Sequence, residues 1–186
     1  MTILASKAQL RASFLRWALF IVPLVLLLGF LSGAISGSDA NNPWFVSLAR
    51  PSIYPPPLAF PIAWGVLYVL MGLAAALVFA AWGARGRTAA LIFFGIQLAL
   101  NLAWSPLFFS FHQIRFALFL LGAIDVAVLV TLALFWRVRW QAGLLLVPYL
   151  AWICFATALN WQFLQLNPQA DGVQMSGAVQ RVELGS

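Results

Sequence analysis

Charge is scarce in this chain. Asp, Glu, Lys and Arg make up 8% of its 186 residues, where a soluble domain carries about 25%. So few charges cannot cover a folded chain of this length in water, which excludes a soluble globular protein. Acidic residues are scarcer still, four against ten Lys and Arg, a formal balance of +6. The basic residues are scattered between apolar runs and form no basic face with interleaved aromatics. A nucleic-acid partner is therefore not expected. Cys154 is the single cysteine, so no internal disulfide can form, and it is expected to be a small buried hydrophobe. His112 is the single histidine, which leaves no Cys/His spacing suited to a metal. There is no Ser/His/Asp arrangement, no pair of neighbouring carboxylates and no glycine-rich phosphate loop.

Apolar sequence is what the chain has in excess: 64% of its residues are hydrophobic. Five runs, at about 17–37, 62–82, 88–110, 114–136 and 142–164, each approach the ~20 residues that cross a bilayer as a helix. They are too long for barrel strands and do not alternate. The fold class is therefore all-α, a multi-pass membrane bundle of five transmembrane helices. The connections at 83–87, 111–113 and 137–141 are short, so the helices they join must be antiparallel. Residues 1–16 read as a cytoplasmic N-terminal tail and 17–167 as the membrane domain, with a lid loop at 38–61. Residues 168–186 read as a flexible polar tail.

Orientation follows from the cations. With the N-terminus in the cytoplasm, the inner segments hold Lys7, Arg11, Arg16, Arg85, Arg87, Arg137 and Arg139, and the outer ones only Arg50, Arg115 and Arg181. Trp17, Trp82, Trp136 and Trp140 fall at the inner ends of spans, where an interfacial belt lies. The first span has a rival reading, because basic residues, an apolar run and Ser32-Gly33-Ala34-Ile35-Ser36 resemble a secretory signal and its cleavage site. Against it, Gly29, Gly33 and Gly37 recur every four residues, as in a helix packed closely on another. That stripe suits packing inside one bundle or the seam of a homodimer, for which the third helix is the other candidate.

The stretch 44–64 carries five prolines, Pro51, Pro55, Pro56, Pro57 and Pro61, so no helix runs through 51–60. It is also rich in aromatics, which suits a stiff apolar lid at a membrane surface. Three helix faces lie beneath it. Trp64 and Tyr68 share a face of the second span. Gln97, Asn101, Trp104, Ser105 and Phe108 form a stripe on the third, and Tyr149, Trp152, Ala156 and Asn160 form one on the fifth. Amides and indole N–H groups are costly against lipid, so these faces should point inward. Three inward faces of aromatics and amides suit a pocket for a flat hydrophobic ligand. The same spacing is equally that of aromatic packing and interhelical amide bonds. With Trp44, Pro51 and Tyr54 from the loop, these are the candidate ligand-binding residues. Asp125 is twelfth in a span of 23, near mid-bilayer. It is either a proton or ion relay, or a protonated or hydrogen-bonded tie between helices. The absence of a cation at that depth favours the tie.

Four motifs in order carry a resemblance: Trp44-Phe45-x-x-Leu48-x-Arg50-Pro51 with Pro55-Pro56; Phe60-Pro61-Ile62-Ala63-Trp64-x-x-Leu67-Tyr68-x-x-Met71-Gly72; Gln97-x-x-x-Asn101-x-x-Trp104-Ser105-x-x-Phe108-Phe109; and Pro148-Tyr149-Leu150-x-Trp152-x-x-Phe155-Ala156-x-x-Leu159-Asn160. Over about residues 17–167 the chain resembles the tryptophan-rich sensory protein family, whose mitochondrial relatives are the translocator proteins, or peripheral benzodiazepine receptors. The resemblance implies a five-helix bundle, often dimeric, with a pocket under the first loop and a sensory or regulatory role. It implies protoporphyrin IX or haem as ligand, with sterols or isoquinoline carboxamides as others and no required cofactor. It also implies a rival reading as a light-dependent porphyrin-degrading enzyme acting through Trp64 and Trp152, and a traditional one as a transporter. Transport would want broken helices in paired repeats, which five spans do not supply. Two departures stand out. Ile53 occupies the position where members usually carry a lid tryptophan, and Asn160-Trp161-Gln162-Phe163-Leu164-Gln165 lacks the Tyr and Lys/Arg of the sterol motif.

Overall fold

The computed structural model describes residues 7–39 and 41–173. Residues 1–6, Ala40, Arg181 and the rest of the polar tail beyond Val173 lie outside the described residues. Five long helices cross the bundle: α1 (Lys7–Ile35), α3 (Ala59–Phe79), α4 (Arg87–Ser105), α5 (Ile114–Val138) and α6 (Trp140–Leu166). A one-turn helix, α2 (Pro43–Ser47), lies in the first loop. All five long helices are apolar enough to span a membrane, and the protein is an integral multi-pass membrane protein.

Helix ends depart from the hydropathy boundaries for local reasons. The segment expected to be a tail is already helical from Lys7. Its Ala, Gln, Leu and Arg are good helix formers, and only their polarity hid it from a search for apolar runs. Pro61 falls in the first turn of α3, where its missing N–H has no helical partner to lose. At the far end of α4, Pro106 interrupts the hydrogen-bond ladder and the chain widens into a π-helical turn, Pro106–Ser110. The guanidinium of Arg87 donates to the carbonyls of Val78 (3.1 Å) and Phe79 (2.9 Å), closing the exposed end of α3.

Around the bundle α1 packs on α3, α3 on α6, α6 on α5 and α5 on α4, and the ring closes weakly where α4 meets α1. Ser32 Oγ donates to Leu102 O (2.6 Å) and Ser110 Oγ to Ser36 O (3.2 Å) across that last contact. The core holds Met71, Ile124, Phe135, Leu146 and Tyr149, all fully buried. Leu19, Phe20, Ile62, Phe119 and Val126 lie on the outside, each more than 60% exposed. Such an apolar belt is stable only in lipid. Because lipid is as apolar as the core, close packing and interhelical hydrogen bonds hold the ring together rather than apolar burial.

One expectation changes here, that for Cys154, and two others take definite form. The Gly29, Gly33, Gly37 stripe is used inside the chain. A Cβ on Gly29 would overlap the Tyr68 ring, Gly33 lines the interior, and Gly37 lies past the end of α1 with φ +66°. Cys154 is exposed on the outer face of α6 rather than buried. Asp125 is a tie: its carboxylate accepts from Thr157 Oγ1 at 2.8 Å, joining α5 to α6.

Candidate functional site

Proline chemistry shapes the first loop. Asn42 caps α2, its Oδ1 accepting from Phe45 N (3.0 Å), and Pro43 opens the helix. That single turn drives Trp44 and Phe45 down into the bundle, where both are buried. The chain then runs extended and Pro-rich back to α3. Its far side is tied to the end of α6. Ala49 N donates to Asn167 Oδ1 (2.8 Å) while Asn167 Nδ2 donates to Ala49 O (3.0 Å).

Under this roof lies a cavity of about 560 Å³, within the ~300–1,000 Å³ range of small-molecule sites. Phe45, Tyr54, Pro57, Leu58 and Phe60 form its ceiling. Trp64 and Tyr68 stack on each other along α3 at 5.2 Å, and Trp104 of α4 stacks on Phe108 of the π-helical turn at 5.1 Å. Trp152 stands edge-on to Trp64, with ring centroids 6.4 Å apart. Ala156 and Asn160 continue that wall one and two turns along α6 from Trp152.

Two side-chain pairs join groups along the walls. Trp104 Nε1 donates to Asn160 Oδ1 (3.3 Å), and Asn160 Nδ2 donates to Ile114 O (2.9 Å). Tyr68 Oη donates to Asn101 Oδ1 (3.4 Å). Pairing fixes the rotamers of the rings and leaves the cavity surface mainly apolar. The guanidinium of Arg50 lies 5.4 Å from the Tyr54 ring centroid on the roof. Burial pushes the Tyr54 phenol above its ordinary range, and the charge of Arg50 partly opposes that shift.

Ten of the fourteen candidate residues line this cavity: Tyr54, Trp64, Tyr68, Asn101, Trp104 and Ser105, and then Phe108, Trp152, Ala156 and Asn160. Four do not. Trp44 stacks on His112 at 4.4 Å and braces Phe108 from outside the cavity. Pro51 is buried within the loop itself. Gln97 and Tyr149 lie one level deeper, with Tyr149 Oη donating to Gln97 Oε1 (3.0 Å). They share the helix faces of the lining residues but fall beyond the cavity's floor. Sequence reasoning missed Phe45, Phe60 and Phe163, which also line it, and the clamp residue Asn167. Phe45 and Phe60 stood inside the quoted motifs. Asn167 had only its place before Pro168, a helix-ending signal, to mark it.

The profile of the TspO/MBR family matches residues 20–166. The chain belongs to that family. It is 38% identical over 138 residues to the protein CrtK of Rhodobacter capsulatus, covering 74% of this chain and 86% of the relative. It is 37% identical over 148 residues to the tryptophan-rich protein TspO of Chlorobaculum tepidum, covering 79% and 93%. The human translocator protein is 38% identical over 121 residues, covering 63% and 71%. As a TspO/MBR protein the chain carries its cavity and all four motifs within the matched span.

Proposed function

We propose that this TspO/MBR protein binds a flat, largely apolar tetrapyrrole, protoporphyrin IX or haem, beneath its first loop, and that it serves a sensory or regulatory role in its membrane. The observation that carries the reading is the roofed cavity of about 560 Å³ walled by three tryptophans, Trp64, Trp104 and Trp152. Planar aromatic walls suit a planar ring, because stacked and edge-on contacts add to simple area burial. The amide oxygens of Asn101 and Asn160 already accept from Tyr68 and Trp104, so an apolar ring does not strand those acceptors. Ala156 leaves room that a larger side chain would take. Titrating purified Ala156→Phe with protoporphyrin IX in the dark tests this. Affinity should fall at least tenfold with the thermal unfolding midpoint held near that of the parent. A well-folded variant with parental affinity would sink the reading.

A second reading, light-driven porphyrin breakdown, is favoured by one observation: Trp64 and Trp152 both line the cavity with ring centroids 6.4 Å apart. An excited porphyrin is a one-electron oxidant and indole is the readily oxidised side chain here. The double variant Trp64→Phe, Trp152→Phe keeps apolar walls, so it should keep dark affinity within a few-fold. If the protein is a binder alone, bound porphyrin bleaches at the parental rate. If it is a photo-enzyme, bleaching stops.

A further inference from the structure

The end of the bundle opposite the loop collects the cations. Trp17 on α1 stacks on Phe79 of α3 at 4.6 Å, so Arg11 and Arg16 lie at the same end as the α3–α4 turn with Arg85 and Arg87. The α5–α6 joint, with Arg137 and Arg139, is there too. The described acids lie elsewhere: Asp39 and Asp171 at the loop end, Asp125 within α5. The one ion pair among the described residues, Arg115 with Asp171, is also at the loop end.

Between the α3–α4 turn and the α5–α6 joint runs an open groove. Its walls are Trp82, Trp136 and Trp140, with Arg137, Arg139 and Gln141. The joint is rigid. Arg139 alone separates the two helices, with extended backbone (φ −151°, ψ 111°). Gly143 lets the Trp136 ring lie against the first turn of α6, where an added Cβ would come within 2.7 Å of it. Arg87 is committed to the end of α3 and to the Trp82 face, its guanidinium carbon 4.3 Å from the ring centroid. The guanidinium groups of Arg137 and Arg139 have no hydrogen-bond or ion-pair partner among the described residues. Trp82, Trp136 and Trp140 are 69%, 46% and 56% exposed beside them.

We propose that this groove binds the headgroup of an anionic phospholipid. The phosphate sits between Arg137 and Arg139, whose forked guanidiniums suit its oxygens. The glycerol backbone and upper acyl chains lie on the tryptophan rings, which belong at the depth where headgroup meets hydrocarbon. Charge complementarity decides the occupant: the groove carries two uncompensated cations and no acid, so a zwitterionic headgroup gains less there than an anionic one. A lipid is favoured over a soluble phosphate because three exposed tryptophans, Trp82, Trp136 and Trp140, stand in the groove beside the cations.

Native mass spectrometry of the full-length chain, titrated with phosphatidylglycerol and with phosphatidylcholine of the same acyl chains, tests the proposal. The parent should bind phosphatidylglycerol more tightly. Arg137→Gln with Arg139→Gln should lower that affinity on the order of 30-fold, two cations each contributing about 1 kcal/mol near an anionic headgroup. Affinity for phosphatidylcholine, whose choline offsets the same phosphate, should fall less. Arg137→Lys with Arg139→Lys should keep most of the preference, and Arg115→Gln at the loop end should keep all of it. Equal affinity of the parent for both lipids would overturn the proposal, as would parental phosphatidylglycerol affinity in the Gln pair or full loss in the Lys pair. Displacement of the lipid by equimolar glycerol phosphate would also overturn it, because the site would then serve a soluble anion.

Discussion

Asn167 holds the roof of the cavity to the end of α6, and removing its side chain should loosen the roof without unfolding the bundle. The amide makes two bonds to Ala49, 2.8 Å to the N–H and 3.0 Å to the carbonyl. Its third bond, Nδ2 to Phe163 O at 3.0 Å, duplicates one that the Asn167 backbone N–H already makes to the same oxygen. Only the Ala49 pair is therefore lost in Asn167→Ala. Ala49 is exposed, so water can take over its freed backbone groups. The net value of a hydrogen bond, about 1 kcal/mol each, then applies rather than the full desolvation penalty. The sum, about 2 kcal/mol, makes roof opening roughly 30-fold more frequent at 1.4 kcal/mol per tenfold. Hydrogen exchange of peptides covering 43–58 should quicken by about that factor, with the helices unchanged. Porphyrin release, if the roof retains the ligand, should quicken in parallel. Asn167→Asp keeps the acceptor for Ala49 N–H but sets a carboxylate against Ala49 O, and should fall between the two. Loop exchange within threefold of the parent, or helices quickening as much as the loop, would refute the clamp.

The contact of Gly29 with Tyr68 predicts that Gly29→Ala either pushes the Tyr68 ring into the cavity or parts α1 from α3. The expected cost is about 1–3 kcal/mol, read as a lower unfolding midpoint together with weaker porphyrin binding. The raised Tyr54 phenol gives a pH prediction. The folded state holds that proton longer than the unfolded chain, so the contribution of Tyr54 to loop docking is fully present below pH ~10 and is lost as pH rises through the folded value. Arg50→Gln removes the opposing charge and should move the Tyr54 titration further up, measured by phenolate absorbance against a Tyr54→Phe blank.

Much of the site was legible because helix periodicity is a local property. Trp64 and Tyr68, Asn101, Trp104 and Phe108, and Trp152, Ala156 and Asn160 share faces by spacing alone, and all of them line the cavity. Depth along a helix is not local. Gln97 and Tyr149 lie on the same faces, yet their long side chains reach each other and bond below the cavity floor. Trp44 looked like a lid residue from its motif, but the single turn of α2 rotates it onto His112 and brings its neighbour Phe45 over the cavity.

The sequence by itself determined a membrane bundle of five long helices, because a chain with 8% charge has nowhere else to fold and each apolar run is bilayer-sized. It also determined which helix faces turn inward, through the cost of amides and indoles in lipid. Tertiary structure alone decided which inward residues meet empty space and which meet one another. It put Gly29 against Tyr68 and turned Cys154 outward. It also brought Asn167 to Ala49, 118 residues away in the chain. Such pairings depend on how far each helix advances and turns before the next one packs on it, and no local pattern of residue types carries that information.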